Sequence, residues 1–170
     1  MSGGATRNLT GRIRRQNKMA ADEAKNVIRP IRQEDAPELA ELEARCDGAA
    51  KWGENAYRDT QSNGIFGWAV QRDGEISGFI LVQVVADEME ILNLAVDPKV
   101  RRQRIGSGLV ARAMQEARQV GVEQIHLEVR ESNATARKFY SSAGFTEHGR
   151  RKNYYSRPVE DAVLMVLRVQ

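Results

Sequence analysis

The sequence predicts an α/β layer fold with the element order β-α-α-β-β-β-α-β-α-β-β. Three observations carry the prediction. Ile105, Leu109, Ala113, Ala117 and Val120 recur at helical spacing and form one apolar stripe. "EQIHLEVR" (123–130) alternates strictly, with Ile125, Leu127 and Val129 on one face and His126, Glu128 and Arg130 on the other. Asp73-Gly74 stands between two apolar runs, a strong short-range hairpin signal. The strand, long helix and strand in the middle of the chain then require a right-handed parallel crossover.

The chain opens extended over "VIRPIRQED" (27–35), because Pro30 disfavours helical backbone at Arg29. Asp35 is expected to cap a helix with Pro37 in its first turn and Leu39, Leu42 and Cys46 along one face. Gly48 and Gly53 break "DGAAKWGENAYRD" into a loop and a short helix through Tyr57. "IFGWAVQR" and "EISGFILVQVV" form the hairpin, and "EMEILNLAVD" is a third strand after an Asp87-Glu88 turn. Pro98 stops that strand, and the long helix runs from near Ile105 to Gly121. Ser132 or Asn133 caps a further helix that Gly144 ends, and "FTEHGRRKNYY" and "AVLMVLRV" close the chain as strands.

With 170 residues, 41% hydrophobic and 29% charged, one globular domain accounts for the length. No apolar run approaches a membrane span, so no membrane association is expected and the chain reads as cytoplasmic. Cys46 is the only cysteine, which excludes an intrachain disulfide. His126 and His148 lie well apart in sequence, and no metal is expected. The net charge of +3 is unevenly placed: residues 1–18 carry Arg7, Arg12, Arg14, Arg15 and Lys18 and no acid, so the remainder is net acidic. Residues 1–26 are read as a basic, disordered tail and 27–170 as the folded domain. No aromatic interleaves the tail's arginines, so direct nucleic-acid binding is not expected except through that tail.

The stretch "VDPKVRRQRIGSGLVARAM" (96–114) ends a strand, turns, and opens the long helix among Arg102, Gln103, Arg104, Ile105, Gly106 and Ser107. The first turn of a helix has unpaired N–H groups and a partial positive charge, and glycine lets a phosphate approach them closely. A surface helix with solvated arginines is the alternative reading. Neither a G-x-G-x-x-G fingerprint nor a Walker pattern is present.

"NLAVDPKVRRQRIGSGL" followed by "HLEVRESNATARKFYSSAGF" resembles the acetyl-CoA-binding half of the GNAT superfamily of N-acetyltransferases. "RKNYYSRPVEDAVLM" and "AAKWGENAY" are similar to the RimI-type branch, which acetylates the N-terminal alanine of the small-subunit ribosomal protein numbered eighteen. The resemblance spans residues 27–170 and implies the GNAT-type arrangement, a mixed central sheet with helices on both faces. It departs from the family at one point. The motif R/Q-x-x-G-x-G/A, aligned on Val96-Asp97-Pro98, begins at Arg101 and has Arg104 at its first glycine, with Gly106 at the second; a register from Gln103 through Gly106 to Gly108 also fits the letters, but it shifts the helix by two residues and loses the Pro98–Gly106 spacing. Arg104 is therefore expected in a backbone conformation that tolerates a Cβ.

The resemblance implies acetyl-CoA as co-substrate and a protein N-terminus, from a ribosomal protein, as acceptor. It implies Leu94, Ala95 and Val96 as backbone partners of the pantetheine, Asn133 as its side-chain partner, and residues 102–107 as the pyrophosphate cradle. Glu128 is implied as the general base, where a solvated face is the plain alternative. Tyr140 is implied as the acid that protonates the departing thiolate, where a core aromatic is the alternative. Trp52, Asn153, Tyr154 and Tyr155 are expected to line the acceptor groove, with strand alternation letting at most one of the two tyrosines face the site. Cys46 reads as a core residue, and His126 as solvated surface or a proton relay from the Glu128 face. Two rival functions remain at this stage: acetylation of a small amine such as a polyamine or antibiotic, and a non-catalytic acyl-CoA sensor or ribosome-binding module.

Overall fold

The computed structural model describes residues 26–60 and 64–169. Of the expected basic tail only Asn26 is described, and it opens the first strand; the rest lies outside the described residues. The elements are β1 (Asn26–Pro30), α1 (Ala36–Arg45), α2 (Gly53–Arg58), β2 (Ile65–Arg72), β3 (Glu75–Val85), β4 (Glu88–Val96), α3 (Ile105–Gln119), β5 (Gln124–Arg130), α4 (Ala134–Ser142), β6 (Thr146–Ser156) and β7 (Val159–Arg168). Their order is the expected one, with short 3-10 turns added at Gln33–Asp35 and Pro98–Val100.

Seven strands form one sheet in the order β1-β2-β3-β4-β5-β7-β6. Only β4 and β5 run parallel, joined through α3. The middle strand β3 is buried on both faces from Ile76 to Val82, so its residues divide between two cores. Ile80 and Val82 pack with Leu109, Ala113 and Ala117 of α3 and with Tyr140 of α4. Phe79 and Leu81 pack with Leu39 and Leu42 of α1 and with Tyr57 of α2. Helices thus cover both faces of the sheet, each burying the apolar stripe its own sequence carries.

Three local expectations are corrected. Asp35 precedes α1 but does not cap it: its carboxylate takes both guanidinium nitrogens of Arg29, at 2.7 and 2.8 Å, and the Arg32 N–H at 2.8 Å. A buried carboxylate satisfies three charge-assisted or backbone donors there, which outweighs one orphan helix amide. Val120 is 53% exposed, because the stripe of α3 ends at Ala117 and the helix stops before Val120 can turn inward. The β3–β4 turn uses Ala86 and Asp87, with Ala86 at φ +54, one residue earlier than expected. Asp73 (φ +51) and Gly74 (φ +92) make the expected hairpin turn.

Candidate active site

β4 and β5 pair only from Glu88↔Gln124 to Ile91↔Leu127. Beyond that point β4 continues along β3 to Val96↔Gly78, and β5 continues along β7 to Arg130↔Ala162. The two parallel strands therefore part. An irregularity at Leu92 marks the place, since Leu81 faces Asn93 while Val82 faces Ile91, and a bulge of this kind bends the strand that carries it. Leu94, Ala95 and Val96 then present an edge to the gap that has no strand partner on that side. An extended amide chain can add to such an edge.

A buried polar network holds the loop after α1 beside this gap. The Glu43 carboxylate accepts the Trp52 N–H at 2.8 Å and the Tyr57 hydroxyl. Asn93 of β4 exchanges hydrogen bonds with the Ala50 backbone at 3.2 and 3.3 Å and donates to the Tyr57 oxygen at 3.1 Å. Trp52, expected in the acceptor groove, stacks on Tyr57 at 5.9 Å and packs partly into the α1 core. Asn133 caps α4 by accepting the Ala136 N–H at 3.0 Å, and its amide nitrogen lies so close to Gly48 that a Cβ there would stand 2.6 Å away. Cys46 is buried and its thiol donates to the Val96 carbonyl at 3.3 Å; burial pushes its titration up, as befits a core residue rather than a nucleophile.

At the mouth of α3 none of the amides of residues 102–107 donates to a backbone carbonyl among the described residues; the first helical bond is Gly108 to Arg104. Arg102 (φ +67) and Arg104 (φ +62) are both left-handed, which curls the peptide units as in an anion-binding nest. This corrects the expectation for Arg104. It keeps the conformation that glycine favours, although it carries a Cβ. Gln103 accepts a hydrogen bond from Arg72. Gly106 serves packing as well, because an added Cβ would already touch the Phe139 ring at 3.4 Å. Left-handed backbone disfavours a side-chain-bearing residue by about 1–2 kcal/mol, partly offset by the greater freedom of glycine in the unfolded chain. Arg104→Gly is accordingly expected to raise the thermal midpoint, by up to about 4 °C. A scanning melt that shows a lower midpoint would refute the strain.

On the α1 face of the sheet, beyond the reach of α1 and α2, lies a cavity of about 260 Å³ lined by Glu88, Glu90, His126, Glu128, His148 and Arg151 among others. Glu128 is 15% exposed and pairs with Arg151, which is 57% exposed, at 2.7 Å. Glu90 lies close enough to Glu128 that burial, and then the Glu128 charge, push its carboxyl up. The neighbouring Glu128 carboxylate, with partial burial, raises the Tyr154 phenol. Tyr155 is raised by burial and then by Glu128, and its ring lies under the Arg130 guanidinium at 4.1 Å. Both phenols therefore feel the Glu128 charge, although the two residues are neighbours on one strand. The reason is the irregular β6–β7 register between Arg151 and Tyr155, with Asn153 at φ +51, which breaks simple alternation and brings the two rings within 5.1 Å. Asn153 itself uses its N–H to bond Asp161 at 2.9 Å.

Tyr140 sits on the opposite face in the α3 core, between Phe139 at 5.1 Å and Phe145 at 5.5 Å, and burial drives its phenol well above the ordinary value. The residue is a core aromatic whose phenol burial holds in its protonated form. The histidines are not apart in space: their rings meet at 5.8 Å. The His126 side chain is 26% exposed, with its Nε2 turned away from solvent. Among the described residues no cluster of three metal-ligating side chains forms.

Residues 28–145 match the Acetyltransferase (GNAT) family. The chain belongs to the GNAT family. Over 144 residues it is 35% identical to the [ribosomal protein bS18]-alanine N-acetyltransferase of Escherichia coli K12, covering 84% of this chain and 97% of that protein. It is 32% identical over 143 residues to the protein of the same name from Haemophilus influenzae, covering 82% and 97%. The crystal structure of the ribosomal-protein-S18-alanine N-acetyltransferase from Escherichia coli superposes with a TM-score of 0.78 over 85% of this chain and 94% of that one. As a GNAT acetyltransferase the chain is an acyl-transfer enzyme on the mixed sheet that the sequence resemblance implied. Sequence reasoning missed Glu90, Arg151 and His148. The signal for Glu90 was present: "EMEIL" alternates as "IHLEV" does, and only the parallel register places the two polar faces side by side.

Proposed function

We propose that this GNAT enzyme transfers the acetyl group of acetyl-CoA to the N-terminal α-amine of a protein, with the N-terminal alanine of a ribosomal protein as acceptor, in the cytoplasm. Residues 27–170 form the catalytic unit. The observation that carries the reading is the parting of β4 and β5, with the Glu128 carboxylate on one face of the gap and the phenol of Tyr140 on the other. The family names of the relatives support the acceptor.

The residues present suit acetyl-CoA. The unpaired amides at 102–107 with Arg102 and Arg104 hold the pyrophosphate, and the free edge at Leu94, Ala95 and Val96 pairs with the pantetheine amides, with Asn133 beside them. The donor supplies a thioester-bound acetyl group. Glu128 takes a proton from the acceptor ammonium, the amine lone pair attacks the acetyl carbonyl, and Tyr140 gives its proton to the sulfur as the C–S bond breaks. Arg151, Tyr154 and Tyr155 border Glu128 and orient the acceptor, with Trp52 and Asn153 at the groove walls. An α-amine with pKa of about 7.7–8.0 is some ten percent neutral at pH 7, so a modest base suffices. The Asn153–Tyr155 segment beside Glu128 favours a peptide over a small amine as acceptor, and the presence of both proton carriers argues against a mere sensor.

Incubation with acetyl-CoA and a panel of N-terminal peptides, read by mass spectrometry, tests the reading. Alanine-started peptides should gain one acetyl group at the α-amine; transfer to polyamines alone would overturn it. A second measurement concerns the cradle. Gly106→Val adds a branched side chain at the helix mouth, where an added Cβ would already stand 3.4 Å from the Phe139 ring, and should weaken acetyl-CoA binding at least tenfold, about 1.4 kcal/mol. Unchanged affinity by calorimetry in the folded variant would remove the cradle from the argument.

A further inference from the structure

The acceptor chemistry leaves a proton to be placed. The acceptor enters mainly as an ammonium and leaves as a neutral amide, so it gives up two N–H protons. One replaces the proton that Tyr140 passes to sulfur. The other must rest somewhere before it reaches solvent. An ordinary carboxylate, near pKa 4.3, is about 3.5 pK units below the amine, whereas an imidazole near 6.5 is only about 1.3 below. A proton shared with an imidazole is thus easier to draw from the amine by roughly two orders of magnitude.

His126 is built into the cavity where such a group would act. It is two residues from Glu128 on the same strand face, and the parallel register sets it beside Glu90 of β4. From β6 it faces His148, at 5.8 Å between rings, and Arg151 at the cavity wall. Its Nε2 is shielded from solvent, has no hydrogen-bond partner among the described residues, and stands 3.6 Å from a Glu88 oxygen. A ring nitrogen locked in a fixed hydrogen bond would have no free site for an incoming proton; this one is uncommitted.

We propose that His126 is the resting place of the proton that the acceptor amine gives up, receiving it through Glu128 and Glu90 and releasing it towards Glu88 and His148 at the cavity rim. The residue acts through Glu128 and not on the acceptor itself. The proposal rests on the transfer reading above.

The test uses the full chain, acetyl-CoA and one alanine-started peptide at pH 7 in dilute non-imidazole buffer. His126→Gln keeps a polar side chain but cannot titrate, and is expected to lower kcat/KM about tenfold while acetyl-CoA affinity by calorimetry stays unchanged. His126→Ala should show the same loss, and added imidazole should restore its rate in proportion to the neutral imidazole present, so that rescue grows between pH 6 and 8. A wild-type rate in His126→Gln, or a loss in His126→Ala that imidazole leaves untouched, overturns the relay alone. Absence of transfer by the wild-type protein overturns the function reading and the relay together.

Discussion

Glu128→Gln is expected to lower kcat on an alanine-started peptide by at least about 100-fold at pH 7, the usual reach of a general base. The substitution keeps the size and one oxygen of the side chain but removes the atom that accepts the proton. The helix mouth and the free edge of β4 lie on other elements, so acetyl-CoA affinity should persist. Arg151 loses its ion pair at 57% exposure, where solvent replaces most of the interaction, so the variant should remain folded. The pH dependence is the sharper readout. The α-amine loses its proton unaided as pH rises through about 7.7–8.0, so the defect should shrink towards pH 9. A constant defect from pH 6 to pH 9 would mean that Glu128 orients the acceptor without taking its proton. A wild-type rate at pH 7 would remove it from the chemistry altogether.

What the sequence revealed of this site follows from which physical signals are local. The stripe of α3, the alternation of β5 and the Asp73-Gly74 turn are each written within a few residues, and each element formed where expected. Asp35 was misread because capping is a local rule, whereas its real partner, Arg29, is fixed by the packing of β1. The ring contact between the two tyrosines of β6 was not legible, because strand alternation presumes a regular ladder and the register shift opposite β7 is a tertiary feature. The same holds for the cavity. Glu90, His126, His148 and Arg151 come from β4, β5 and β6, which share one cavity only after the parallel crossover and the β5-β7-β6 order are set. Glu128 could be picked out as a carboxylate in an otherwise apolar strand, but its neighbours could not. Arg104 is a mixed case: the family pattern marked its position as unusual, and the structure gives the reason, a left-handed turn normally left to glycine.

Tyr140→Phe should fail in a different way from the loss of the base. Tyr140 lies in the α3 core against Phe139 and Phe145, and phenylalanine keeps that packing, so the variant is expected to fold and to bind acetyl-CoA as the parent does. Only the proton for the thiolate is missing. A free thiol titrates near 8.5, so the departing sulfur takes up a proton at neutral pH, and without the phenol to donate it in the transition state kcat should fall by about 100-fold. Raising the pH deprotonates the acceptor amine but does nothing for the sulfur, so no recovery is expected at pH 9. Burial raises the phenol of Tyr140 far above the working range, and the sign of that shift matters. A raised phenol stays protonated at pH 9 and pH 10, so the parent enzyme should show no alkaline limb from this group, and the ratio of parent to variant rates should stay flat across that span. Parallel pH–rate profiles of Tyr140→Phe and Glu128→Gln decide the assignment. Recovery of both at high pH would place the tyrosine on the amine side of the reaction, and recovery of the tyrosine variant alone would exchange the two roles.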